Sequence, residues 1–198
     1  MARDARPRVS AWLRSSTDSL FSHAGAESVL DAVDSLIEKS LLQVSTDVLD
    51  KSALYGQEEE PRLSMLETIR EYALECLAAN GELEITRQVH ADYYLTLAEE
   101  VEPKLGGPDQ AAWLDQLEWE HDNLRAALQW SLERGEAEHR MEMALRFGGV
   151  LRRFWLVHGH LNEGRIFLER ALAQSEGTTA SVRAKALNSA ANIALNQG

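Results

Sequence analysis

The stretch "PRLSMLETIREYALECL" (Pro61–Leu77) changes its hydrophobic period partway along. Apolar and polar residues alternate as far as Leu66, which is typical of a β-strand. From Glu67 onwards the apolar residues recur three and four positions apart, which is typical of an amphipathic helix. The spacing of Ser64 and Glu67 also fits a capping box, in which each residue satisfies a free backbone amide of the helix start. The sequence therefore predicts a strand that leads directly into a helix.

The residues before this stretch predict the partner of that strand. Apolar residues at helical spacing predict a helix from Glu27 to Ser40, and "LLQVS" after it predicts a short strand. The polar segment 48–60 ends in three glutamates and predicts a long hairpin loop. A helix, a strand, a loop and a returning strand form the second half of a winged helix. The sequence thus predicts a partial winged helix with 48–60 as its wing.

The rest of the chain predicts helices only. Gly-, Pro- and Ser-containing breakers separate helical patterns joined by short loops, which favours antiparallel packing of neighbouring helices. Two segments, "VHGHLNEGRIFLERAL" and "AKALNSAANIALNQG", have the spacing of tetratricopeptide helices, and Gly159 and Gly198 lie one long repeat apart. The predicted helices cover 82–103, 109–134 with a break near 118–122, 138–158, 161–175 and 180–197.

The predicted fold class is mainly α, with a partial winged helix (helix plus β-hairpin) followed by an antiparallel helical array of tetratricopeptide-like repeats. The expected domains are a poorly ordered arm over 1–24, a winged-helix-like remnant over 25–80, a helical linker region over 81–136 and tetratricopeptide-like repeats, cut short at the C-terminus, over 137–198.

Charge and cysteine content restrict the partners and the compartment. Twenty Lys and Arg stand against 32 Asp and Glu, which gives a formal net charge of −12. Because a grip on phosphates needs clustered basic residues, we do not expect DNA binding through this chain. The single cysteine, Cys76, lies on an apolar stripe and is interpreted as a small hydrophobe in a reducing compartment, so we expect a cytoplasmic protein. No apolar run approaches the ~20 residues of a membrane span.

The candidate chemical motifs all have simpler interpretations. The string from Gly159 to Gly164 lacks the Lys and the hydroxyl residue of a P-loop. His158 and His160 flank a glycine at a helix end, and a solvated pair is favoured over zinc binding. Glu118, His121 and Arg125 are spaced as an intrahelical salt-bridge face, which is favoured over acid–base catalysis. We therefore predict no catalytic, cofactor-binding or metal-binding residue and no enzymatic activity.

Several long strings resemble those of bacterial STAND-type signalling ATPases with NB-ARC-like domains, many of which are LuxR-type transcriptional regulators. They run from about Ser28 onwards and include "PRLSMLETIREYALECLAANGE", "HADYYLTLAEE", "WLDQLEWEHDNLRAALQW" and "GHLNEGRIFLERAL". The resemblance implies the order nucleotide-binding domain, winged helix, helical linker and repeats, in which the repeats sense an effector or partner. The nucleotide-binding motif of that family is missing from this sequence, so nucleotide binding transfers to no residue here.

The predicted function is a non-enzymatic regulatory and protein-interaction segment of such a regulator. The expected partner is a protein or peptide, with a nucleotide-binding domain on the same or another chain as one candidate. Self-association is also expected, because the final half-repeat would leave Leu187, Ile193 and Leu195 partly uncovered. The candidate partner-binding residues are Arg152, Arg153, Trp155, Arg165 and Arg183.

The alternative is a transcription factor whose winged helix contacts DNA directly. It would need the basic arm at the start of the chain to supply the missing positive charge. The residues of that arm are Arg3, Arg6, Arg8 and Arg14.

Overall fold

The computed structural model describes residues 29–45, 62–133 and 137–197. Within these ranges it is mostly helical, with one two-stranded antiparallel sheet. The predicted fold class, a helix plus a β-hairpin followed by a helical array, is confirmed. The backbone divides into two compact units with the boundary after Cys76. The finer domain bounds and the tetratricopeptide assignment stay predictions, and the arm 1–24 and the wing 48–60 lie outside the described residues.

The first unit contains the predicted helix and hairpin. Helix α1 spans Val29–Glu38, and Ser40 then turns the chain with a positive φ of 58°. Strand β1 (Gln43–Ser45) pairs antiparallel with strand β2 (Arg62–Ser64). This short ladder brings the two halves of the predicted hairpin together.

Helix α2 spans Glu67–Ala79 and differs from the prediction at its start. Ser64 is the last residue of β2 and pairs with Gln43, so it does not stand immediately before the helix. Glu67 forms an ion pair with Arg70 at 3.0 Å. The predicted capping box was therefore wrong, because strand pairing continues as far as Ser64.

The end of α2 agrees with the sequence. Gly81 adopts a positive φ of 74°, which glycine tolerates at no steric cost. The Glu82 N–H donates to the Leu77 carbonyl at 2.9 Å, and the Gly81 N–H donates to the Ala78 carbonyl at 3.1 Å. These two bonds define a Schellman motif, which satisfies the last carbonyls of the helix.

The second unit is a helical array. The predicted break near 118–122 is confirmed at Glu120, whereas the predicted helix 138–158 is divided at Leu151. Leu151 is fully buried, so the apolar pattern continues through the division and does not reveal it. The elements are α3 (Leu83–Val101), a 3₁₀ helix (Glu102–Gly106), α4 (Gln110–Trp119), α5 (His121–Ser131), α6 (Ala137–Val150), α7 (Arg152–His158), α8 (Leu161–Ala173) and α9 (Ala180–Gln197).

The core of this unit is aromatic and aliphatic. Phe147, Phe154 and Trp155 are fully buried, and α9 packs against α6 and α8. Gly164 of α8 allows close approach, since a Cβ there would lie 3.0 Å from Cδ1 of Ile193 on α9. Ile193 is fully buried as a result, so the expectation that it stays uncovered was wrong.

Ion pairs join helices at the rim of this core. Arg146 of α6 donates two hydrogen bonds to the Glu99 carboxylate of α3, at 2.8 and 2.7 Å. Lys185 of α9 binds Glu102 at 2.5 Å. In the described part of the chain, no helix is both long enough and apolar enough to cross a membrane.

Candidate functional site

Imidazole and carboxylate side chains meet where four helices of the second unit begin or end. Glu118 lies near the end of α4, and His121 is the first residue of α5. His158 is the last residue of α7, and His160 and Glu163 lie at the start of α8. We call this group the His–Glu cluster; its members are Glu118, His121, His158, His160 and Glu163.

Two local features of the chain place these side chains. The break at Glu120 ends α4 and starts α5, so Glu118 and His121 both stand at helix ends. Gly159 has a positive φ of 81° and reverses the chain between α7 and α8. The rings of His158 and His160 on either side of it are nearly parallel, with centroids 6.4 Å apart. The turn thus presents both rings to the same neighbours.

Each carboxylate of the cluster has more than one partner. Nε2 of His160 lies 2.8 Å from Oε2 of Glu118, and Nδ1 of His158 lies 3.5 Å from the same oxygen. Nε2 of His121 lies 2.9 Å from Oε1 of Glu163, whose other oxygen forms an ion pair with Nε of Arg125 at 3.1 Å. An ionised carboxylate only accepts hydrogen bonds, so the contacts at 2.8 and 2.9 Å are hydrogen bonds in the tautomers that carry a proton on Nε2.

The cluster has an apolar floor. The ring of Phe154 is fully buried, and its centroid lies 5.3–5.4 Å from those of His121, His158 and His160. The rings of His121 and His160 contact each other with centroids 4.0 Å apart. Side-chain exposure rises from 16% for His121 to 39% for Glu118. The cluster is therefore closed towards the core and open towards solvent.

Glu118 is the electrostatic centre of this arrangement. Burial acts to raise the pKa of its carboxyl, but the hydrogen bond from His160 and the charges of His160, His158 and His121 act in the opposite direction. The result is a pKa below the ordinary value for glutamate. The geometry thus favours the ionised form of Glu118 beside three histidines.

Three members of the cluster can supply ligands to one cation. One ligand atom each from Glu118, His121 and His160 can be chosen so that the three lie within 4.8 Å of one another. Imidazole nitrogen and carboxylate oxygen are the donors that zinc accepts in many catalytic and structural sites. Among the described residues, these three side chains are the group whose positions would allow them to hold a metal ion.

The sequence had suggested simpler roles for these residues. The predicted intrahelical face of Glu118, His121 and Arg125 was wrong, because His121 and Arg125 both bind Glu163 on α8. The predicted solvated histidine pair was also wrong, since both rings contact Glu118 and Phe154. The partners lie some forty residues apart in sequence, so helical spacing could not show them. The usable signal was the H-x-H pair across a glycine.

The predicted partner-binding residues lie on α7, α8 and α9. Arg153 is exposed and donates to Oε1 of Gln110 at 3.0 Å, and Arg165 forms an ion pair with Glu169 at 3.1 Å. Arg152 is half-buried and Arg183 is exposed. Trp155 is fully buried in the core, so its ring is not available to a partner in this structure.

A second candidate surface is an exposed apolar row along α9. Leu187 and Leu195 are 49% and 81% exposed, as the sequence led us to expect. At about 100° per residue, these leucines and three exposed alanines fall within one arc of roughly 100° on the helix. We call this row the α9 strip; it consists of Ala184, Leu187, Ala191, Ala194 and Leu195.

Comparisons with known proteins give relatives among mycobacterial regulators. No family model matches the chain, and no solved structure matches it. The chain is 34% identical over 164 residues to "Putative HTH-type transcriptional regulator Rv0890c" of Mycobacterium tuberculosis H37Rv and to "Putative HTH-type transcriptional regulator Mb0914c" of Mycobacterium bovis. The alignment covers 81% of this chain and 17% of each relative. The chain thus resembles a minor part of these longer proteins.

Proposed function

We propose that this chain acts in transcriptional regulation, as a non-enzymatic helical segment that binds a protein partner. The similarity to proteins named as transcriptional regulators supports the regulatory role. The resemblance to STAND-type ATPases supports a sensing or scaffolding part within it, with a nucleotide-binding domain as one possible partner. A cytoplasmic location belongs to the same proposal.

The observation that carries the proposal is that α9 is apolar on two sides. Its inner side, with Ala186 and Ile193, is buried in the array. Its other apolar side is the α9 strip, which is exposed. A helix of a soluble protein ordinarily has one apolar stripe, and a helix that is apolar all round is ordinarily buried. The α9 strip is therefore suited to cover by a second protein surface.

The surroundings of the strip indicate the kind of partner. Arg183 is exposed and lies in the first turn of α9, next to the strip on the helical wheel. Small alanines between the two leucines leave room for the close approach of a helix. The partner surface that fits best is an apolar helix face with an acidic side chain at its edge. When no other partner is present, two copies of the chain can cover each other's strips.

Light scattering tests this self-association on the purified chain. We expect the mass of the wild-type chain to rise above that of a monomer between low and high micromolar concentration. The double variant Leu187→Gln, Leu195→Gln should remain a monomer with an unchanged circular dichroism spectrum. The matched control is Ile85→Gln on α3, which also replaces a half-exposed apolar side chain and should associate as the wild type does.

Two results would contradict the proposal. One is a wild-type chain that remains a monomer throughout the concentration range. The other is association that survives in the Leu187, Leu195 double variant, or that is lost equally in the Ile85 variant.

Direct DNA binding by the first unit is the second candidate. The printed names of the relatives favour it, because they contain the term HTH. The element order of α1, β1 and β2 also fits a winged helix. Within α1, however, Asp31, Asp34 and Glu38 are all acidic, and phosphates would be repelled from such a surface.

Fluorescence anisotropy with a labelled DNA duplex separates the two candidates. Direct binding predicts an affinity that falls steeply with salt, with a slope reduced by about one in Lys39→Gln, which replaces the basic residue directly after α1. The control is Arg170→Gln, an exposed residue on α8 of the second unit. An anisotropy that does not change at low salt excludes this candidate and leaves the protein-binding proposal untouched.

A further inference from the structure

We propose that Glu118, His121 and His160 form a binding site for one divalent transition-metal ion of the zinc type. The three side chains come from the end of α4, the start of α5 and the residue before α8. Their ligand atoms already lie within 4.8 Å of one another. This site is independent of the α9 strip and of the proposed role in regulation.

The donor set and its dimensions suit such an ion. Zinc binds imidazole nitrogen and carboxylate oxygen at about 2.0–2.2 Å, often with two histidines, one glutamate and an open fourth position. Donors of a tetrahedral site with such bonds are about 3.3 Å apart. The three ligand atoms would therefore have to close by about 1.5 Å at most. Rotation of these half-buried side chains at the helix ends can supply that movement.

The residues around the three ligands support the site as well. Glu163 holds His121 at 2.9 Å and is itself held by Arg125 at 3.1 Å. A carboxylate on one ring nitrogen orients a histidine whose other nitrogen binds a metal, and Glu163 is placed to do this for His121. Phe154 closes the inner side of the cluster, while Glu118 is open to solvent. An ion can thus enter from solvent and lie against an apolar floor.

Protons and the metal compete for the same atoms of the site. Without metal, Nε2 of His160 and Oε2 of Glu118 share a hydrogen bond at 2.8 Å. A metal ion would take the lone pair of Nε2, so the proton on this nitrogen would move through solvent to Nδ1 of the same ring, and the imidazole would bind in its neutral form. Because lower pH favours the protonated forms of the ligands, affinity should fall as the pH is lowered. The two carboxylates of the cluster, Glu118 and Glu163, also attract a dication. Arg125 offsets only the charge of Glu163.

Calorimetric titration of the metal-stripped full chain with Zn²⁺ tests the site. We expect one ion per chain and a rise in Tm of roughly 5–10 °C at a hundredfold excess of free metal over Kd. The substitutions Glu118→Gln and His160→Gln should abolish this binding, and Glu163→Gln should weaken it about 10- to 100-fold without removing a ligand. His139→Gln, an exposed histidine on α6, is the matched control and should bind as the wild type does.

Titration with Co²⁺ identifies the donor atoms. Ligation by nitrogen and oxygen predicts visible bands without the charge-transfer band of a thiolate, in the wild type and in Cys76→Ser alike. Matching apo circular dichroism spectra and apo Tm values would show that each variant is folded. The proposal is overturned if no ion binds, if Glu118→Gln and His160→Gln bind as tightly as His139→Gln, or if a thiolate band disappears in Cys76→Ser.

Discussion

Gly164 of α8 lies directly against the indole ring of Trp155 on α7. A Cβ atom built at Gly164 would be 2.6 Å from both Cδ2 and Cε3 of that ring. Trp155 is fully buried and packs beside Phe167, with ring centroids 6.0 Å apart. Because the ring is large, rigid and fully buried, this contact sets how closely α7 and α8 approach.

Gly164→Ala should therefore destabilise the second unit. Alanine is intrinsically better than glycine within a helix by roughly 1 kcal/mol. Overpacking against a rigid buried ring typically costs 1–3 kcal/mol, so we expect a net loss of up to about 2 kcal/mol. Thermal unfolding should show a Tm lower by a few degrees. Gly106→Ala is the control, because nothing lies within 4 Å of its added Cβ, and an equal loss there would refute the explanation.

Gly148→Ala should cost less than Gly164→Ala. The added Cβ would clash with Cδ2 of Leu168, but that atom is the end of a flexible side chain and Cγ is 3.4 Å away. A change of Leu168 rotamer can relieve the clash, whereas an indole ring cannot rotate away. Side-by-side thermal melts of the two variants check the order, and a larger loss for Gly148→Ala would contradict it.

Arg146 and Glu99 should show a measurable coupling free energy. Arg146 donates two hydrogen bonds to Glu99, and this hydrogen bonding is the main cause of the raised pKa of Arg146. Both side chains are more than a third exposed, so solvent screening limits the coupling to about 1 kcal/mol or less. A double-mutant cycle with Glu99→Gln and Arg146→Gln in chemical denaturation measures it. The coupling should shrink in high salt, and a value insensitive to salt would count against an ion pair.

Glu118 should make the stability of the metal-free chain depend on acid pH. Its pKa is lowered in the folded state, so its contribution is complete above the ordinary glutamate pKa of about 4.3 and is lost as pH falls through the folded-state value. Denaturant unfolding in the presence of a chelator should therefore show a smaller acid loss in Glu118→Gln than in the wild type. Identical pH profiles would show that the His160 contact is energetically neutral.

The sequence predicts local features well where the signal itself is local. The change of period at Glu67, the break near Glu120 and the glycine at the end of α2 follow from neighbouring residues. Leu187 and Leu195 were also expected to be partly uncovered, and both are exposed. These predictions need no knowledge of how distant helices pack.

The predictions that failed depend on long-range packing. Ile193 is covered because Gly164 lets α9 approach α8, and no pattern within α9 shows this. The His–Glu cluster joins residues separated by 42 positions, through a turn at Gly159 and a break at Glu120. Helical spacing suggests neighbours within one helix, so it led to the wrong partners for His121.

Hydrogen exchange of α9 tests the central claim most directly, because it localises the surface that binds protein. The measurement compares peptides covering 184–195 in dilute samples and in samples concentrated enough to associate. We predict that exchange of these peptides slows on association, while peptides from α3 are unchanged. A chain that associates with no change over 184–195, or with protection confined to α1 and the hairpin, would contradict the assignment of the α9 strip.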